Sequence, residues 1–172
     1  MILRELLSLN EIFTSTVNLS WKQISKSTTI AEFEVDEKAY ECFIEAGTYE
    51  FNDHKLTFLN IGFSRILNGE KFFDLTLDTQ NAVKVLGAII NGVSKKIDEY
   101  DADAIMLSAV DNVNQRMNIY KWIARKFSSK FGVWIKSVKV PNGEVTLLIS
   151  SKLDKELVNK FIEHVKSKNL EK

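Results

Sequence analysis

The sequence predicts a single α+β domain built on a mixed, mostly antiparallel sheet. Apolar and acidic residues alternate over residues 31–36, which is typical of a strand with one solvent-facing side. Between residues 79 and 100 the apolar spacing changes to that of a helix. A short apolar strand at 104–109 follows, so the chain is predicted to turn from an antiparallel meander to a parallel connection.

The N-terminal part, residues 1–28, is predicted to be a helix over 1–15 and then a loop around Trp21. The apolar positions of this helix are Leu3, Leu6, Leu7 and Ile12. This stripe either docks on the sheet of its own chain or contacts a second chain. Residues 29–172 form the domain proper, and we expect one domain overall.

The meander that follows is predicted to contain four strands separated by polar turns. The strands are expected over 31–35, over 40–44 with an extended continuation at 48–51, over 56–66, and over 72–77. The turns fall at 36–38, 52–55 and 68–70. Their Asp, Asn and Gly residues favour tight turns, and Gly62 predicts a bulge or bend within the third strand.

The second half of the chain is predicted to alternate helices and strands. A helix over 79–100 begins at Thr79 as N-cap, and a second helix runs from Asn112 or Asn114 to a stop at Gly132. The apolar face of the first helix is Ala82, Leu86, Ile89, Val93 and Ile97. Two strands, 133–140 and 144–149, are joined by a Pro-Asn-Gly turn, and a helix over 153–168 presents Leu157, Phe161 and Val165 on one face.

Composition excludes several classes of protein. The chain has 172 residues and no net charge, and no apolar run approaches the roughly 18 residues of a membrane span. Its N-terminus does not have the pattern of a signal peptide, and one cysteine, Cys42, is expected in the core. We therefore predict a cytoplasmic protein that does not bind membranes and has no metal site, since neither a CxxC motif nor a His cluster is present.

Charge is unevenly distributed along the chain. Residues 32–53 contain eight acids and one base, whereas residues 114–139 contain seven bases and no acid. Such asymmetry either marks an anion-binding or partner-binding face, or reflects solvated faces that balance each other within one fold.

The segment from 104 to 132 resembles a known family. The strand 105–108, then Asn114, then Ile119-Tyr120 within a helix that ends at Phe131-Gly132, is similar to the second half of the GNAT acetyltransferase superfamily. The resemblance implies a GNAT-like topology: helix, four-strand meander, helix, strand, helix, two strands, helix. It also implies acetyl-CoA as cofactor and Tyr120 as general acid toward the departing thiolate, since a tyrosine with a pKa of about 10 is protonated at neutral pH.

One part of that family's pattern is missing from this chain. GNAT enzymes bind the coenzyme pyrophosphate with a glycine-rich loop, because glycines let backbone N–H groups approach phosphate at a helix N-terminus. The equivalent stretch, 77–83, contains no glycine and no arginine, and Asp78 places a negative charge there. The sequence therefore predicts no bound cofactor. The pattern of 100–120 also resembles small uncharacterised proteins of tailed bacteriophages that lack this loop, which implies host cytoplasm or virion as location.

The basic helix carries the predicted site. Lys121 and Arg125 lie four residues apart and so share a face, and a tryptophan among bases is typical of a protein interface. The predicted partner-binding residues are Arg116, Lys121, Trp122, Arg125 and Lys126.

The leading functional prediction is a non-catalytic binding or assembly protein, encoded by a phage if that resemblance is correct. It would act through contacts with a protein partner or through self-association into a homo-oligomer. The first alternative is an acyl-CoA-dependent N-acyltransferase with a divergent pyrophosphate site, in which Tyr120 would be catalytic. The second alternative is nucleic-acid or anion binding through the basic helix 114–131.

Overall fold

The computed structural model describes residues 17–72, 79–110, 125, 133–141 and 143–170. The strands are β1 (Trp21–Gln23), β2 (Thr28–Val35), β3 (Lys38–Phe51), β4 (His54–Leu67), β5 (Glu70–Phe72), β6 (Ala104–Val110), β7 (Val133–Val140) and β8 (Gly143–Ser150). The helices are α1 (Thr79–Tyr100) and α2 (Lys155–Leu170).

These strands form a mixed sheet in the order β1-β2-β3-β4-β6-β8-β7, with β5 paired to β4. The ladders β1–β2, β2–β3, β4–β5, β6–β8 and β7–β8 are antiparallel. β4 and β6 pair in parallel, from Phe58 opposite Ala104 to Ile61 opposite Leu107. A parallel pair needs a long crossover connection, and α1 lies in the segment that joins the two strands.

The predicted fold class is wrong. The described residues are mostly β, with an eight-stranded mixed sheet and two helices, instead of an α+β GNAT-like layout with four helices. β3 and β4 each run for 14 residues, and β1 forms within the predicted loop around Trp21. The predicted helix 1–15 lies outside the described residues, as does the helix 114–131 apart from Arg125, which is helical.

Three predicted turns are confirmed, and they explain the long hairpins. Both central residues have positive φ at 36–37, 52–53 and 68–69. This is the requirement of a type I′ turn, whose twist matches that of the two flanking strands. Asp, Asn and Gly occupy five of these six positions and tolerate this backbone at low cost, while Glu37 is the exception.

The chain divides into two compact units, which share β3 and β4. The first comprises Met1–Glu45 and Gly62–Tyr100, and here α1 packs against β2. Lys84 of α1 forms an ion pair with Asp36 at 3.0 Å, and the Lys96 ammonium lies 5.9 Å from the ring centre of Trp21. The predicted apolar face of α1 is confirmed at four positions, Leu86, Ile89, Val93 and Ile97, which are all buried.

The second unit comprises Ala46–Ile61 and Asp101–Lys172. Its helix α2 begins after Asp154, whose Oδ1 accepts hydrogen bonds from the backbone N–H of Glu156 at 2.9 Å and of Leu157 at 3.3 Å. The predicted face of α2 is confirmed, since Leu157, Phe161 and Val165 are buried. These side chains form one core cluster with strand residues, among them Leu56, Ala104, Val138, Val145, Leu147 and Ile149.

Three features considered from composition can be compared with the described residues. Cys42 is fully buried in β3, as predicted. Neither of the two described helices is long and apolar enough to cross a membrane. No group of three or more potential metal ligands occurs among the residues that the structure describes.

Candidate functional site

The predicted partner-binding residues are described at one position. Arg125 is helical and exposed. The other four, Arg116, Lys121, Trp122 and Lys126, lie outside the described residues, as does Tyr120. Their roles stay predictions. The basic stretch continues beyond them into β7, where Lys136 and Lys139 are exposed.

β7 lies at one end of the strand order. It pairs with β8 along its whole length, from Val133 opposite Ser150 to Val140 opposite Gly143. Within the described part of the chain, no strand pairs with its other edge. An eight-residue strand with one edge unpaired among the described strands offers backbone donors and acceptors for a further strand.

The core of the second unit holds β7 in place from one side. Val138 is buried, Val140 packs against the same cluster, and α2 contacts β7. Val138 lies opposite Val145 on β8, so the two side chains share the face that α2 covers. Val138 and Val140 therefore determine which face of β7 is turned to the core. A shift of one residue in the pairing of β7 with β8 would expose both valines.

The turn that closes this hairpin determines which backbone groups of β7 point outward. Val140 and Gly143 are separated by two residues, and Val140 and Gly143 therefore form the hydrogen-bonded pair that closes the hairpin. Hydrogen-bonded and non-bonded pairs alternate along an antiparallel ladder. The N–H and C=O groups of Ile135, Ser137 and Lys139 consequently point away from β8, toward the free edge.

Side chains along this edge are accessible to a partner. Ile135 is 38% exposed, and Lys136, Ser137 and Lys139 are also exposed. Lys139 lies opposite Glu144 in the ladder, whereas Lys136 lies opposite the buried Leu147. The edge thus combines backbone groups that no described strand pairs with, one apolar side chain and two cationic side chains.

Comparison with known proteins adds no family to this picture. No family model matches the chain, and no curated protein is significantly similar to it in sequence. The resemblances to acetyltransferases and to phage proteins therefore stay predictions from the sequence.

The acidic stretch 32–53 is the other charged surface that the sequence predicted. Glu32, Glu34 and Glu45 are exposed on β2 and β3. Glu41 is buried, and its Oε1 accepts a hydrogen bond from Lys71 Nζ at 2.7 Å. The buried acid is thus paired with a lysine of β5, whereas the other three acids are accessible to solvent.

Sequence reasoning found the basic character of β7 but missed its position at the sheet edge. The lysines are visible as part of the seven bases between 114 and 139. The position of β7 at the edge of the sheet depends on the strand order β4-β6-β8-β7, which is set by pairing between segments that are distant along the chain.

Proposed function

We propose that this protein binds another polypeptide by adding an extended segment of that partner to the free edge of β7. The observation that carries this proposal is an eight-residue strand at the end of the sheet order with exposed side chains and outward-pointing backbone groups. The proposed role is that of a non-catalytic binding or assembly protein, which is the leading functional prediction from the sequence.

The physical basis is the hydrogen-bonding capacity of the edge. Each outward residue of β7 offers one N–H and one C=O, and a partner strand would pair with both. A single such bond contributes about 0.5–1.5 kcal/mol net, so affinity must come from several residues together with side-chain contacts. Ile135 supplies an apolar contact beside the added strand, since side chains directly opposite each other on neighbouring strands touch.

The proposal can be tested with one backbone substitution. Ser137→Pro removes an N–H that points outward and leaves the β7–β8 ladder intact, because proline is tolerated on an edge strand where its nitrogen faces solvent. Ser137→Ala is the matched control, since it removes the hydroxyl but keeps the N–H. Urea unfolding of both variants checks that the fold is kept.

The measurement is the selection of displayed random peptides on the full chain, followed by titration against the two variants. We expect selected peptides to bind the wild type and Ser137→Ala equally, and Ser137→Pro at least about tenfold more weakly. Hydrogen exchange should show new protection at the amides of Ile135, Ser137 and Lys139 when peptide is bound. Peptides that bind Ser137→Pro as tightly as the wild type, with no protection in β7, would refute the proposal.

A further inference from the structure

We infer that the segment added to β7 carries acidic side chains beside Lys136 and Lys139. This inference rests on the proposed function, because it names the chemistry of the partner at that same edge. The two lysines are exposed and lie three residues apart in the strand. Their side chains therefore emerge on opposite faces of the sheet, one on each side of any added strand.

The first argument is charge complementarity. A strand that pairs with β7 places residues directly opposite Lys136 and Lys139, at the short cross-strand distance where opposite charges attract and like charges repel. Glu144 already lies opposite Lys139 on the β8 side, but no acid occupies the matching place beside Lys136, which faces Leu147. An acidic partner residue at each site would complete the pairing.

The second argument concerns a second copy of this chain as the occupant. Lysines on an edge strand disfavour pairing of that edge with itself, because two such edges bring like charges together. In an antiparallel pair centred on residue 136, the two Lys136 side chains would lie directly opposite each other. The same residues that favour an acidic partner therefore act against self-pairing through β7.

The partner is thus an extended acidic segment with an apolar residue opposite Ile135. Alternation follows from the pleat, since residues opposite Ile135, Ser137 and Lys139 share one face and the residue opposite Lys136 lies on the other. The amino-acid sequence of such a segment contains an apolar residue with Glu or Asp a few positions away.

The experiment uses three synthetic peptides of about ten residues that share a Val- and Thr-rich strand sequence. They differ at two positions, which carry Glu, Gln or Lys. Affinity is measured by fluorescence anisotropy with the full chain, its Ser137→Pro variant, and the double variant Lys136→Gln/Lys139→Gln. Sedimentation velocity of the wild type and of Ser137→Pro reports self-association in parallel.

We expect the Glu peptide to bind wild type at least about tenfold more tightly than the Lys peptide, and this preference to weaken at high salt. The double Gln variant should lose the preference and keep its affinity for the Gln peptide. Equal affinity for all three peptides, still abolished by Ser137→Pro, would overturn the acidic partner and leave strand addition standing. Self-association that Ser137→Pro removes would make a second copy the occupant and overturn the inference. Binding unaffected by Ser137→Pro would overturn both proposals.

Discussion

Asp103 and Thr57 are joined by two hydrogen bonds at the start of the parallel pair β4–β6. The backbone N–H of Thr57 donates to Oδ2 of Asp103 at 2.9 Å, and the backbone N–H of Asp103 donates to the carbonyl of Thr57 at 2.8 Å. The carbonyl of Asp103 in turn accepts from the N–H of Ser150 at 2.8 Å. The hydrogen bonds of Asp103, which directly precedes β6, thus connect this strand to β4 and β8 where the sheet changes from antiparallel to parallel pairing.

Replacing Asp103 tests how much this junction contributes. Asp103→Ala leaves the partly buried N–H of Thr57 without its acceptor, so we expect the free energy of unfolding to fall by about 1–2 kcal/mol. Asp103→Asn keeps a side-chain oxygen in the same place and should cost less. Urea unfolding of the three proteins measures the difference, and an Ala variant as stable as the wild type would show that the contact is energetically neutral.

The ion pair between Lys71 and Glu41 is asymmetric, and this predicts an asymmetric response to mutation. Glu41 is buried, whereas the Lys71 side chain is 54% exposed. Lys71→Met leaves a buried carboxylate without its partner, and we expect a loss of about 1–2 kcal/mol, less than for a fully buried pair because water reaches the lysine. Adding Glu41→Gln to Lys71→Met should recover most of that loss in chemical denaturation.

The double variant is also the control for this prediction. The single variant Glu41→Gln completes the double-mutant cycle. If the losses of the two single variants simply add in the double variant, the two side chains contribute independently and their charges are not coupled.

Local signals predicted the turns and the helix faces well. Asn68-Gly69 forms its turn because the positive φ values needed there are set by these two residues alone. The burial of Leu86, Ile89 and Val93 likewise follows from spacing within one helix.

Strand continuity and strand order were not predictable in the same way. The sequence predicted a break between two strands near Gly47. In the structure the ring of Phe58 occupies the place where a side chain at Gly47 would lie, and β3 runs through this position without a break. Phe43 lies against Gly62 in the same manner, where a bulge or bend was predicted. Both contacts join residues of two consecutive strands and depend on their register, whereas the strand order that leaves β7 at an edge depends on pairing between more distant segments.

Cys42 is predicted to be unreactive in the folded protein. Burial raises the pKa of its thiol far above the ordinary range, and the nearby Glu41 carboxylate raises it further. The thiolate is the reactive form, so a thiol reagent at about pH 8 should modify Cys42 only when the unit opens. Because the chain contains one cysteine, the modification rate should rise with urea in step with unfolding, and fast modification of the native protein would contradict its burial.

His164 makes the stability of the second unit depend on pH. Its ring lies 4.7 Å from that of Tyr49, and desolvation followed by the nearby Lys168 charge lowers its pKa below 6.5. The unfolded chain therefore binds this proton more readily than the folded one. Neutral His164 makes its full contribution to the free energy of unfolding above about pH 6.5. This contribution is lost as the pH falls toward the lowered pKa of His164 in the folded protein. Since the ring is partly exposed, we expect a loss below about 1 kcal/mol.

Urea unfolding between about pH 5 and 8 measures this effect. His164→Gln should flatten the pH dependence in the range where the histidine titrates. If His164→Gln keeps the pH dependence of the wild type, His164 is not the group whose protonation destabilises the fold.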